Sequence, residues 1–119
     1  MSLDALIRRL RLRDLRTLAS VARGGSMRKA AQDLHLSLPA VSRSIADLEA
    51  TVGLPLLVRT TSGAVPTAYG EALVRRSRVL FDELEAGMRE LAQLADPGTG
   101  DVRLGCMETL HAGLVGACV

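Results

Sequence analysis

Aromatic residues are almost missing from this sequence: one Tyr, one Phe and no Trp in 119 residues. A core of stacked rings is therefore excluded, and Leu, Ala, Val and Ile must fill the interior. That mixture favours helices over strands. Cysteine is nearly as scarce. Cys106 and Cys118 both fall in the last fourteen residues, and neither has a second Cys or a His at ligand spacing. A zinc site and a disulfide framework are both disfavoured, and a reducing cytoplasm fits. No apolar run approaches a membrane span. Arg8, Arg9, Arg11 and Arg13 break up any signal-peptide core at the N-terminus. The expectation is a soluble, cytoplasmic protein with no membrane partner. Its length allows one small core plus an accessory element.

The groupings that chemistry needs are missing too. His35 and His111 are far apart and poorly accompanied, and no nucleophile–base pair, metal set or phosphate loop is present. No enzyme activity, catalytic residue, metal or cofactor is expected. His35 has the plainer role of a turn residue.

Charge, by contrast, is present and unevenly spread. Residues 1–66 carry ten basic and five acidic side chains, residues 67–100 four and six, and residues 101–119 one and two. A basic first half suits a polyanion, although a solvated surface would look the same by charge alone.

Hydrophobic periodicity sets the organisation. Leu3, Leu6, Ile7 and Leu10 follow helical spacing, and Leu12, Leu15, Ala19 and Ala22 repeat it on a rotated phase. This predicts a short N-terminal helical extension and a first core helix over about 12–23, stopped by Gly24 and Gly25. Ser26 is a good cap for a second helix, Met27 to Leu34, with Ala30, Ala31 and Leu34 turned inward. His35-Leu36-Ser37 makes a three-residue turn, with Leu36 filling it from inside. Ser37 caps a third helix to about Thr51. Pro39 is harmless in its first turn, Val41, Ile45 and Leu48 are inward, and Gly53 ends it. Leu38, Ser42, Arg43, Ala46 and Asp47 are left on the outer face or near the exposed N-terminal end. Residues 54–66 read as a small β-hairpin around Thr60-Thr61-Ser62-Gly63. Thr67 caps a long helix, about Ala68 to Ala95. Pro97 to Gly100 is a hinge, and residues 102–105 form a possible strand.

Helix, short turn, helix and hairpin is the order of a winged helix-turn-helix, although an ordinary helical hairpin shares that spacing. The fold class expected is mainly α: a winged helix-turn-helix with a two-stranded β-wing, then a long helix. The residue pattern narrows this further. Gly25-Ser26-Met27, Ala30-Ala31, Leu34-His35-Leu36-Ser37, Pro39 through Ile45, Leu48-Glu49, Gly53, Leu56-Leu57, Arg59, and Thr67 with Gly70 follow one another almost without gaps. The stretch from Leu15 through Gly70 resembles the N-terminal domain of the LysR-type transcriptional regulators, which are bacterial.

The resemblance implies three regions: a DNA-binding domain over 1–66, a linker (dimerisation) helix over 67–96, and over 97–119 a hinge with the start of an effector-binding domain. The chain would then be a piece of a longer regulator or a naturally shortened one. It implies a sequence-specific regulator that binds an interrupted palindrome in double-stranded DNA as a homodimer, with a tetramer open to a full-length form. Thr109 falls where such proteins often bind a small-molecule co-inducer, and only a full-length form would have that pocket. By position, Ser37, Leu38, Pro39, Ser42 and Arg43 belong to the helix that reads the major groove. Arg59 belongs to the wing, and Ser26, Arg28 and Lys29 face phosphates. Helix N-termini and hydroxyls suit phosphate oxygens, and arginine pairs with guanine or phosphate.

Four positions depart from the family pattern. Gln is usual where this chain has Leu38, and Phe where it has Leu18, Met27 and Leu57. The last three are apolar exchanges that repack a core. Leu38 removes an amide able to read adenine. In the long helix, Leu73, Leu80, Leu84, Leu91 and Leu94 occupy heptad a and d positions, with Ser77 and Gly87 at the other two. Such a seam pairs with another helix. Packing within one chain is the alternative, but little else here is available to cover a helix of this length. Glu83, Glu85 and Glu90 lie off the seam and read as solvated.

Overall fold

The computed structural model describes residues 2–96. Its elements are α1 (Leu3–Arg9), α2 (Leu12–Gly24), α3 (Met27–Leu34), α4 (Leu38–Val52), β1 (Leu57–Thr60), β2 (Gly63–Pro66) and α5 (Ala68–Ala95). The fold is mainly α, a winged helix-turn-helix followed by a long helix. The expected hinge, the expected strand at 102–105, Thr109, His111 and both cysteines lie outside the described residues.

Each helix of the bihelical unit starts on a serine. Ser26 Oγ accepts from the Lys29 N–H at 3.0 Å, and Ser37 Oγ accepts from the Ala40 N–H at 3.2 Å. Each supplies a partner to one of the four N–H groups that a helix leaves unpaired. The C-terminal ends close in the left-handed region. Gly25 ends α2 at φ 78° and Gly53 ends α4 at φ 74°, whereas α3 ends on a non-glycine, His35, at φ 57°.

The core lies where α2, α3 and α4 pack on one another, with β2 against α2. Leu18, Val21, Ala30 and Val41 have no exposed surface. Ala30 and Ala31 are both buried at the α2–α3–α4 junction, so two short helices approach closely. Val41, Ile45 and Leu48 are buried as their spacing predicts.

Two inward assignments are corrected. Leu12 is 49% exposed, and Ala19 and Ala22 are only half-buried. The inward arc of α2 instead runs through Leu15, Leu18 and Val21 and takes in Asp14, Thr17 and Ser20. Three elements cover α2, so its buried arc is wider than one apolar stripe. Asp14 and Thr17 enter it with partners: Ser44 Oγ donates to Asp14 Oδ1 at 2.5 Å, and Thr17 Oγ1 donates to the Arg13 carbonyl at 2.8 Å. Leu36, expected inside the turn, is 44% exposed. The left-handed step at His35 sends the Leu36 N–H back to the Ala31 carbonyl at 2.9 Å, and the side chain emerges at the surface.

The wing is an antiparallel pair in the register Leu57↔Pro66, Val58↔Val65, Arg59↔Ala64 and Thr60↔Gly63. Two such strands are marginal alone, and side chains from neighbouring elements hold them. Glu49 Oε2, on α4, accepts from the Leu56 and Leu57 N–H groups at 2.7 and 3.2 Å. Thr67 Oγ1 donates to the Pro55 carbonyl at 2.7 Å and accepts from the Gly70 N–H at 3.1 Å. The Ala64 N–H donates to the Gly25 carbonyl at 2.9 Å. Gly63, at φ 151°, has no alternative there, since a Cβ would come within 2.1 Å of the Gly25 oxygen.

Within α5 the described residues divide into two units, between Arg78 and Val79. Among the described residues no helix is long and apolar enough to cross a membrane, and no group of His, Cys, Asp and Glu is placed to hold a metal ion.

Candidate nucleic-acid interface

α4 is two-faced. Val41, Ile45 and Leu48 seal one side, while Ser37, Leu38, Pro39, Arg43, Ala46 and Asp47 are exposed on the other. Ser42 is half-buried between them. Leu38 keeps 42% of its surface and faces outward. Because Ser37 Oγ only accepts in its cap, its hydroxyl hydrogen stays available to an acceptor outside the chain. The same holds for Ser26 at the start of α3.

The wing meets the start of α3. Arg59 is exposed on β1, and its Nη2 donates to Met27 Sδ at 3.5 Å. The wing arginine thus joins the end of α3 that carries Ser26 and the exposed Arg28 and Lys29. These four residues, separated by more than thirty positions in sequence at the widest, form one basic cluster. Their guanidinium and ammonium groups can take phosphate oxygens.

Arg43 belongs to a second cluster. It lines an open groove with Ser37 and Pro39 of the α4 start and with Arg13 and Arg16 from α2. The family pattern does not single out Arg13 or Arg16. Their three-residue spacing on a helix, which puts them on one face, was the available signal.

Residues 12–71 match the bacterial regulatory helix-turn-helix proteins of the lysR family. The chain belongs to the LysR family. It is 39% identical over 103 residues to the HTH-type transcriptional regulator CbbR of Sinorhizobium medicae, covering 87% of this chain and 33% of that protein. It is 34% identical over 102 residues to PcaQ of Agrobacterium fabrum, an HTH-type transcriptional regulator, covering 86% and 33%. The chain spans about a third of the length of the curated relatives it matches. Among solved structures, the CbnR DBD–DNA complex superimposes with a TM-score of 0.66 at 34% identity, over 71% of this chain and 99% of that one. The complex of the BenM DBD with catB site 1 DNA gives 0.71 at 28% identity, over 76% and 100%.

In this LysR-family chain the seam positions of α5 fall into two groups. Leu73 is half-buried, and Ser77 is 2% exposed with its hydroxyl donating to the Leu73 carbonyl. Ser77 is therefore covered within its own chain. Leu80, Leu84, Leu91 and Leu94 are exposed, and Gly87 is half-buried. Of the glutamates off the seam, Glu85 pairs with Arg89 one turn on.

Proposed function

We propose that this chain is the DNA-binding and dimerising part of a sequence-specific transcriptional regulator, acting on an interrupted palindrome in double-stranded DNA. The observation that carries the reading is the surface of α4: its apolar side is sealed, and its N-terminal end offers Ser37, Leu38, Pro39 and Arg43 to solvent. In this reading the start of α4, with Ser42 and Arg43, enters the major groove. Arg59 contacts the backbone from the wing, and Ser26, Arg28 and Lys29 contact it from the start of α3. Residues 1–66 are the DNA-binding domain and 67–96 the dimerisation helix, with Leu73, Leu80, Leu84, Leu91 and Leu94 in the seam. Residues 97–119 are assigned to a hinge and the start of an effector-binding domain on the family resemblance alone, and a co-inducer would bind only a full-length form. A protein that acts on the bacterial chromosome belongs in the cytoplasm.

Binding-site selection from random duplexes tests this. Palindromic sites are expected, with affinity falling linearly on a log–log salt plot by roughly 0.9 for each phosphate neutralised. Arg59→Ala should weaken all duplexes alike and flatten that slope, whereas Arg43→Ala should change base preference. Recovery of unselected, asymmetric sequences would overturn the reading.

A further inference from the structure

We propose that Arg8, Arg9 and Arg11, at the junction of α1 and α2, form a further phosphate-binding edge. It extends the protein–DNA contact beyond the helix-turn-helix and wing. The family match begins at residue 12, so these arginines lie outside the matched residues. The inference rests on the reading that α4 lies in the major groove.

α1 packs on α4. Arg8, Arg9 and Arg11 line an open groove with Asp47, Ala50 and Thr51 of α4. That groove shares Asp14 and Asp47 with the one lined by Arg13, Arg16 and Arg43. The two grooves are therefore one continuous strip along α4, lined by six arginines and two aspartates. One of those carboxylates, Asp14, is 4% exposed and already bonded to Ser44. Asp47 is the exposed one. Arg8 also pairs with Asp4 at 2.9 Å, with both side chains largely exposed. Such a pair is weak in water and leaves Arg8 further donors for a phosphate.

The length of the strip suits the ligand. From Arg43 to Thr51 is eight residues of helix, about 12 Å at 1.5 Å each. That is the rise of three to four base pairs along the duplex axis at about 3.4 Å each, so the strip carries Arg8, Arg9 and Arg11 beyond the base pairs that Arg43 addresses. The strip also complements the other basic cluster. Arg59 and Met27 meet beside Gly25 at the C-terminal end of α2, whereas Arg11 and Arg13 sit at its N-terminal end. The two ends of α2 are about 18 Å apart. A major groove about 12 Å wide has a phosphate backbone on each side. With arginine reach added, the two clusters can address both backbones.

The test uses the whole chain with Arg8→Gln, Arg9→Gln and Arg11→Gln together. It uses two duplexes: one limited to the selected site, and one extended by four base pairs on each side. On the extended duplex the salt slope should flatten by roughly 0.9 per lost contact, about 2 to 3 in all, and affinity at low salt should fall about tenfold or more. On the short duplex the same variant should match the unmodified chain. The triple Lys variant, which keeps the charge, should restore the slope and show that folding of α1 is not the cause. A Gln variant with unchanged slope on the extended duplex, beside an unmodified chain that binds it, overturns this edge and leaves the α4 reading standing. An unmodified chain that binds neither duplex overturns both.

Discussion

Leu18, Leu48 and Leu56 are sealed inside the N-terminal unit, whereas Leu80, Leu84, Leu91 and Leu94, on one stripe of α5, keep 41%, 38%, 55% and 69% of their surface. The side chain is the same. The difference lies in what the chain supplies around them. Three helices and a hairpin meet over the first group. The second lies on a single helix of 28 residues. Burying a leucine fully is worth roughly 1.5–3 kcal/mol, so the stripe holds a large unrealised gain. A second copy of the same helix, with the same heptad spacing, would realise it.

The comparison breaks most visibly if the stripe is charged. Leu84→Lys with Leu91→Lys should yield monomers in sedimentation while the helical signal of the N-terminal unit persists. Binding to a palindrome should fall about 10²- to 10⁴-fold, because the second half-site is no longer delivered at high effective concentration. Binding to a single half-site should hardly change. A double variant that still sediments as a dimer would falsify the seam.

Next in size is a cavity in the sealed region. Leu18→Ala in that monomeric background should cost about 3 kcal/mol in urea denaturation, from lost transfer energy and an unfilled space. Leu80→Ala in the same background should cost less than about 0.5 kcal/mol, as exposed substitutions do. Equal costs would mean that Leu80 is packed within the monomer and that the contrast is false.

Much of this architecture is legible in the residues, for identifiable reasons. Ser26, Ser37 and Thr67 mark helix starts because their hydroxyls are local caps, and Gly25 and Gly53 mark ends because they take positive φ. Residues three or four apart in α4 predict its buried face directly. The phase of α2 is harder to read, since Asp14, Thr17 and Ser20 look like an outer face: the partner of Asp14, Ser44, comes from α4, while Thr17 turns its hydroxyl back to the Arg13 carbonyl of its own helix. The hydrophobic pattern misplaces Leu36 because the left-handed step at His35 is invisible in it. At the candidate interface, Arg43, Arg59, Arg28 and Lys29 were nameable from resemblance. The proximity of Arg59 to Met27, and the groove that Arg13 and Arg16 share with Arg43, come from packing between elements distant in sequence. No periodicity encodes them.

A smaller effect separates reading from folding within the first region. Leu38 is exposed at the start of α4. In the groove its favourable partner is a thymine methyl, while Gln there can hydrogen-bond adenine N6 and N7 together. Leu38→Gln should therefore move the selected base at one pair from thymine toward adenine, with a discrimination of about 1–3 kcal/mol. The oligomeric state set by α5 should stay the same. Identical base frequencies for both proteins would mean that Leu38 does not face the groove.

The smallest effect expected is at His35, where the sealed region carries a strained step. Two of the three core-helix ends use glycine in the left-handed region, and α3 uses His35 at φ 57°, ψ 44°. A Cβ there crowds the backbone by about 1–2 kcal/mol. Histidine tolerates the region better than most side chains, so the lower figure is apt. His35→Gly removes the crowding but loosens the unfolded chain, which opposes it by roughly 0.5–1 kcal/mol. The net expectation is a gain of up to about 0.5 kcal/mol, read as a higher urea midpoint at constant slope. His35→Ala, which keeps the Cβ in the same conformation, should give no gain. Both variants belong in the monomeric Leu84→Lys, Leu91→Lys background, because association through α5 would otherwise add a concentration-dependent term. If His35→Gly instead lowers the midpoint while His35→Ala does not, the imidazole is unimportant and the turn depends on the stiffness that a Cβ provides. In that case the turn between α3 and α4 is held by restricting the unfolded chain rather than tolerated as strain.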